Sequence, residues 1–211
     1  MRISLRNIMP HPLAECLMAN SALWGKELIF EPAQSIQLVA QSGKGKSTFL
    51  DIIYGIRSDY QGNFEISGIN TSNLSADQWK DLRSRKLSLL FQDLRLFQNL
   101  SARENLQLLP IVDPDAPKIG YMCERLQVDH LLDQPVKNLS LGQRQRFAII
   151  RCLRKPFRWL LLDEPFSHLD EENAKEAALL IKESICTKEA GLILTSLQPT
   201  VLFEFDQIIQ L

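Results

Sequence analysis

Ala40-Gln41-Ser42-Gly43-Lys44-Gly45-Lys46-Ser47-Thr48 decides the fold, because of what stands on either side of it. Ser35 to Ala40 reads as a short buried strand, and Thr48 to Tyr54 as the start of a helix closed by Gly55. A loop that must turn its backbone N–H groups around a phosphate needs residues free to take positive φ and lacking bulk. Gly43 and Gly45 meet both demands. The helix that follows aims its partial positive end at the same anion. Lys46 is placed to reach the β- and γ-phosphates of a nucleoside triphosphate, and the Ser47 hydroxyl to ligate Mg²⁺. Gln41, Ser42, Lys44 and Thr48 complete the phosphate-binding stretch, with Lys44 read more simply as a solvated cation. A chance Gly/Lys turn is the alternative, and the strand before and helix after weigh against it.

Two later segments narrow the reading. Trp159-Leu-Leu-Leu162 is an unbroken apolar run, as expected of a central strand covered on both faces, and it ends in Asp163 and Glu164 before Pro165 stops it. Some twenty residues earlier comes Leu139-Ser140-Leu141-Gly142-Gln143. Ser140 can cap the next helix with Gln143 three residues on, a reciprocal capping box. That places backbone N–H groups and a hydroxyl at a helix N-terminus, a ready anion site. The run Arg144 to Arg151 sets arginines around an apolar stripe, as a partly exposed helix requires.

In this order the three segments resemble the ATP-binding cassette (ABC) ATPases, the engine subunits of ABC transporters. The resemblance covers essentially the whole chain. It implies an α/β P-loop NTPase core with a mixed sheet, assigned to residues 1–92 and 157–211, and a helical subdomain at 93–156 carrying the signature motif. It also implies roles. Asp163 would hold the Mg²⁺ water shell and Glu164 would act as general base on the attacking water. Gln92, in Phe91-Gln92-Asp93 after the strand-like run Leu87 to Leu90, would contact Mg²⁺ and that water. Ser47, Gln92 and Asp163 are thus the candidate metal residues, and Lys46, Glu164, Gln92 and Ser196 the candidate catalytic ones. Ser167-His168-Leu169-Asp170 matches the loop that touches the partner subunit, with His168 at a variable position. In the family Ser140, Gly142 and Gln143 close over ATP bound to the opposite subunit. One copy of each motif therefore implies a homo- or heterodimer with ATP and Mg²⁺ at its interface.

Two departures stand out. The family stacks adenine on an aromatic residue near the end of its first strand, here Ile3 to Ile8. Met9-Pro-His-Pro-Leu13 offers His11 as its one ring, more simply read as an ordinary loop histidine. After the strand Gly191 to Thr195 the family places a histidine that hydrogen-bonds the γ-phosphate. Ser196 stands there instead, which predicts slow basal turnover. Two smaller departures are Ala40 for the usual first glycine of the loop and Leu141 for the usual glycine of the signature.

Composition bounds the rest. The 211 residues, 45% hydrophobic, are enough to bury a full core. Lys and Arg number 24 against 25 Asp and Glu, so no global basic field points to nucleic acid. From Gln92 to Ser140 is 140 − 92 = 48 residues without sustained heptads, which argues against the coiled-coil chromosome-maintenance cassettes. Cys16, Cys123, Cys152 and Cys186 lack C-x-x-C spacing, as suits reduced thiols in the cytosol. Glu15 breaks the apolar stretch from Pro12 to Ala19, so no signal peptide is expected. No apolar run approaches the roughly 18 to 20 residues of a bilayer span. If the chain is a transporter subunit, as the resemblance implies, its expected partner is a separate transmembrane permease, with this chain peripheral on the cytoplasmic face. The pattern from Asp81 to Asn105 looks most like the lipoprotein-releasing, macrolide-export and cell-division group. Leu94, Leu96, Phe97 and Leu100 resemble the ABC family's docking groove for a coupling helix; the simpler reading is that they pack the lobe's core, as some of them are expected to do. A soluble or regulatory ATP switch with weak hydrolysis is the second reading.

Further signals set boundaries. Ser75 with Gln78 predicts a capped helix within Asn73 to Lys86, Pro110 to Pro117 a proline-broken loop, and Asp206 to Leu211 the last core strand.

Overall fold

The computed structural model describes residues 1–11 and 21–210. Cys16 and the apolar stretch from Pro12 to Ala19 lie outside the described residues. The elements run β1 (Ile3–Pro10), β2 (Glu27–Phe30), β3 (Ser35–Val39), α1 (Lys46–Tyr54), β4 (Tyr60–Ile66), β5 (Ile69–Asn70), α2 (Ala76–Arg85) and β6 (Leu87–Leu90). They continue with α3 (Ala102–Gln107), α4 (Ile119–Arg125), α5 (Leu141–Leu153), β7 (Trp159–Asp163), α6 (Glu171–Lys188), β8 (Gly191–Ser196) and β9 (Gln207–Gln210).

Strands of both directions are present, and they are sorted into two sheets. β2-β1-β4-β5 is antiparallel throughout, and β6-β7-β8-β3-β9 is parallel throughout. The parallel sheet is central because both its faces are covered. Along β7, Leu160 and Leu162 pack toward α5 and α6. Their neighbours Trp159 and Leu161 pack on the other side with Phe30, Phe49 and Ile53. β8 divides the same way, Leu192 and Leu194 against Ile193. The period of two thus feeds two apolar cores from one strand, which is why these runs carry no polar alternation. Each fully buried Leu or Ile contributes about 1.5–3 kcal/mol of transfer free energy.

Local signals act where the sequence places them. α2 begins at the Ser75/Gln78 capping box, and α5 at the Ser140/Gln143 box. α1 starts at Lys46, two residues before the expected Thr48, and ends on Gly55 in the left-handed region (φ 71°). β1 runs on to Pro10 rather than stopping at Ile8. No helix or strand lies between Pro110 and Pro117, and β9 occupies Gln207–Gln210. Between residues 93 and 156 the described helices and strands are all helical. Among the described residues no helix is long and apolar enough to cross a membrane.

Candidate active site

Parallel register brings four strand ends to one edge. Leu90 pairs with Leu162, Asp163 with Thr195, and Val39 with Ser196. The phosphate loop, Phe91-Gln92, Asp163-Glu164 and Ser196 therefore emerge side by side at the C-terminal ends of the strands, where open α/β sheets bind ligands.

The loop has the conformation its glycines foretell. Gly43 sits at φ 79° and Gly45 at φ 93°, both left-handed. Gly45 meets a steric demand as well, since a Cβ there would lie 3.0 Å from Cζ2 of the buried Trp24. The helices α2, α3, α5 and α6 have side-chain caps, whereas α1 and the short α4 have none, and only α1 follows a glycine loop. Its first N–H groups are thus left to an anion. Gln41, Ser42 and Gly43 are exposed, and Lys44, Ser47 and Thr48 half-buried. The Lys46 ammonium is buried and donates to Ala40 O (2.7 Å) and Gln41 O (3.3 Å), with Glu164 Oε1 at 3.1 Å. Ala40 serves here through its carbonyl, so the missing first glycine leaves the lysine's anchor intact.

Asp163 is buried and accepts from Thr195 Oγ1 at 2.6 Å. Glu164 follows in the left-handed region (φ 48°), with its N–H on Thr195 O and Thr195 Oγ1, both at 3.2 Å. That conformation costs a non-glycine residue about 1–3 kcal/mol, and the Thr195 bonds and Lys46 hold it in place. It turns the carboxylate off the strand axis toward the phosphate loop.

Ser47, Gln92 and Asp163 line one cavity of about 330 Å³, together with Asp51, Phe91, Asp93 and Arg95. A hydroxyl, an amide and a carboxylate are hard oxygen donors, the set Mg²⁺ prefers, so the residues present fit that ion. Bound there, it would neutralise charge on the phosphates. Sequence reasoning missed Asp51 and Arg95. Burial raises the Asp51 pKa, opposed by the charge of Arg95. The Arg95 guanidinium lies 3.5 Å over the Phe91 ring. Its carbonyl and that of Leu94 both accept from Arg151 of α5 at 2.7 Å. Periodicity showed Arg151 only as the polar edge of a helix.

The signature residues stand apart, at the start of α5. Ser140 and Leu141 are exposed, and Gly142 and Gln143 are half-buried. Gly142 is required by a close approach, since a Cβ there would lie 2.6 Å from His168 O. Gln145, also unforeseen, is buried and ties this helix to the acidic turn. Its Nε2 donates to Glu164 O (3.1 Å) and Pro165 O (2.6 Å), and its Oε1 accepts from His168 N (3.2 Å). Ser196 is half-buried, donates to Gln198 O at 2.7 Å and accepts from Gln37 Nε2 at 2.8 Å. His11 is exposed at the end of β1.

A family profile described as "ABC transporter" matches residues 25–167. The chain belongs to the ABC transporter family. Curated ABC relatives include the thiamine import ATP-binding proteins of Vibrio parahaemolyticus (35% identical over 74% of this chain and 67% of the relative) and Histophilus somni (32%, over 84% and 83%). The Escherichia coli counterpart is 33% identical over 80% of this chain and 72% of its own. Among solved structures, the dimeric bacterial ABC cassette MJ0796 matches with a TM-score of 0.74 and 26% identity, over 92% of this chain and 87% of that one. A bacterial Atm1-family exporter with ATP bound shares the fold alone, at 19% identity and TM-score 0.80, over all of this chain and 37% of that one. As an ABC cassette this chain binds and hydrolyses ATP with Mg²⁺.

Proposed function

We propose that this ABC ATPase dimerises on ATP and drives a separate transmembrane permease from the cytoplasmic face of the membrane. The observation that carries the chemistry is the union of two features at one sheet edge. One is the Lys46–Glu164 pair; the other is the cavity that gathers Ser47, Gln92 and Asp163. In this reading the loop N–H groups and Lys46 bind the phosphates, and Ser47, Gln92 and Asp163 hold Mg²⁺. Glu164 takes the proton of the attacking water. Catalysis is positioning and charge stabilisation, which a rigid strand edge supplies.

Dimerisation is supported by exposure of Ser140 and Leu141 beside the Ser167-His168 turn. Residues 93–156 act as the helical subdomain that carries this surface. The permease face is supported by Phe97, an aromatic ring 61% exposed in a rigid loop. Asn105, fully buried, fixes that loop by accepting from Phe97 N (2.8 Å) and donating to Phe97 O (3.0 Å) and Ser101 O (2.9 Å). Leu94 and Leu96, by contrast, are buried in the core and offer no docking surface, and Leu100 is half-buried. The named relatives serve thiamine import.

Co-purification from detergent-solubilised membranes tests the assignment. A membrane protein retained by the wild-type chain and stimulating its ATPase is the expected result. A chain that hydrolyses ATP yet retains none would favour the soluble switch.

A further inference from the structure

Gln37 is fully buried in the middle of β3, between β8 and β9, in a strand otherwise apolar from Ile36 to Val39. Its Nε2 donates to Ser196 Oγ at 2.8 Å and, more weakly, to Gln198 O at 3.4 Å. Its Oε1 is buried and has no hydrogen-bond partner among the described residues. A buried amide left half-satisfied costs about 1–3 kcal/mol. An apolar side chain of the same size would serve the core better, so stability does not account for it.

The geometry points to a positioning role. Val39 pairs with Ser196, so Gln37, two residues before Val39, shares a sheet face with the serine. Ser196 in turn gives its proton to Gln198 O, while its carbonyl accepts from Ala40 N at 3.2 Å. Ala40 O is the nearest acceptor of the Lys46 ammonium. The amide of Gln37 thus pins the Ser196–Gln198 turn against the first residue of the phosphate loop, one step from the lysine. We infer that Gln37 is a positioning residue for ATP hydrolysis: through Ser196 it fixes the turn after β8 beside the phosphate loop. The Ser196 hydroxyl is committed to this network as acceptor and donor together, which makes it a strut of the site.

The inference rests on the ATPase reading above, and steady-state kinetics separate the two. Gln37→Met keeps the volume and removes both amide groups. It is expected to melt at or above the wild-type temperature while kcat falls by about tenfold, the scale of a lost supporting contact. KM for MgATP should stay within about twofold, since Lys46, the loop N–H groups and the metal residues are untouched. Ser196→Ala should lower kcat similarly. The double variant should be no slower than either single one, because both changes cut the same link. Wild-type kcat in Gln37→Met overturns the inference, as does a matching loss of ATP affinity, which would mean that Gln37 shapes the whole loop. If Gln37→Met does not fold, Ser196→Ala decides alone: wild-type kcat overturns the inference, and a fall in kcat with KM unchanged supports it. A wild-type protein without turnover would instead fail the ATPase reading itself.

Discussion

Lys46 Nζ lies 3.1 Å from Glu164 Oε1, so the cation of the phosphate loop and the candidate general base form one ion pair. Both side chains are largely withdrawn from water, at 5% and 14% exposure. The ammonium has three protons, and Ala40 O, Gln41 O and Glu164 offer three acceptors. An incoming phosphate therefore competes with the carboxylate for the same charge.

That competition gives Glu164→Gln two effects of opposite sense. Removing the base should slow hydrolysis by about 10²–10⁴-fold, the usual contribution of general base catalysis. Removing the competing charge should leave ATP binding as tight as in the wild type or tighter. The ATP-bound protein should then accumulate as a dimer, visible by light scattering. Hydrolysis at the wild-type rate would place the base elsewhere.

Lys46→Ala removes the other partner. Nucleotide binding should vanish in a calorimetric titration, because the charge nearest the β- and γ-phosphates is gone. The melting temperature should also fall. The Glu164 carboxylate would stay poorly solvated without its cation, and breaking one side of a buried pair costs about 3–5 kcal/mol at full burial. Unchanged affinity for MgATP would sink the phosphate-loop assignment.

Much of this site was legible because it is encoded locally. Gly43, Gly45 and Lys46 announce a loop between strand and helix, and the Ser140/Gln143 and Ser75/Gln78 boxes announce their helix starts. What the chain hides is what depends on register. Nothing in its local sequence sets Gln145 apart. Its bridge to Glu164 and Pro165 exists only because α5 packs beside the end of β7. Gln37 broke an apolar strand, and that break was a readable sign, but its partner Ser196 lies 159 residues away. Leu94 and Leu96 illustrate the converse. The resemblance groups them with Phe97 and Leu100 as a docking groove, with packing of the core as the alternative. The two left-handed residues Leu94 and Arg95 turn the chain so that the leucines enter the core and Phe97 leaves it.

Phe97 is therefore the residue on which to test the permease surface. Phe97→Asp exposes no new core and breaks neither of its backbone bonds to Asn105. Basal ATPase and melting temperature should match the wild type, while membrane association and stimulation by the permease fall by at least about tenfold, as for a buried aromatic anchor. Undiminished membrane association would remove this loop from the interface.

Ser196→His asks whether a histidine after β8 restores fast turnover, and Gln37 decides the answer. In the single variant the imidazole must either crowd the amide that lies 2.8 Å from Oγ or turn away and leave Nε2 without its nearest acceptor. Gln37 Oε1 already lacks a partner, so the second course leaves the buried amide only its weaker bond to Gln198 O at 3.4 Å and costs about 0.5–1.5 kcal/mol more. The single variant should melt lower than the wild type and turn over no faster. Gln37→Ala with Ser196→His frees the space and removes the amide. A ring N–H directed at the γ-phosphate is then worth about 10²–10³ in rate, by analogy with other transition-state donors. Steady-state ATPase and melting curves on the wild type, the two single variants and the double variant settle it. The double variant should be the fastest of the four, and Ser196→His should melt below the wild type. A single Ser196→His protein that is both fast and stable would show that Gln37 places no constraint on this turn.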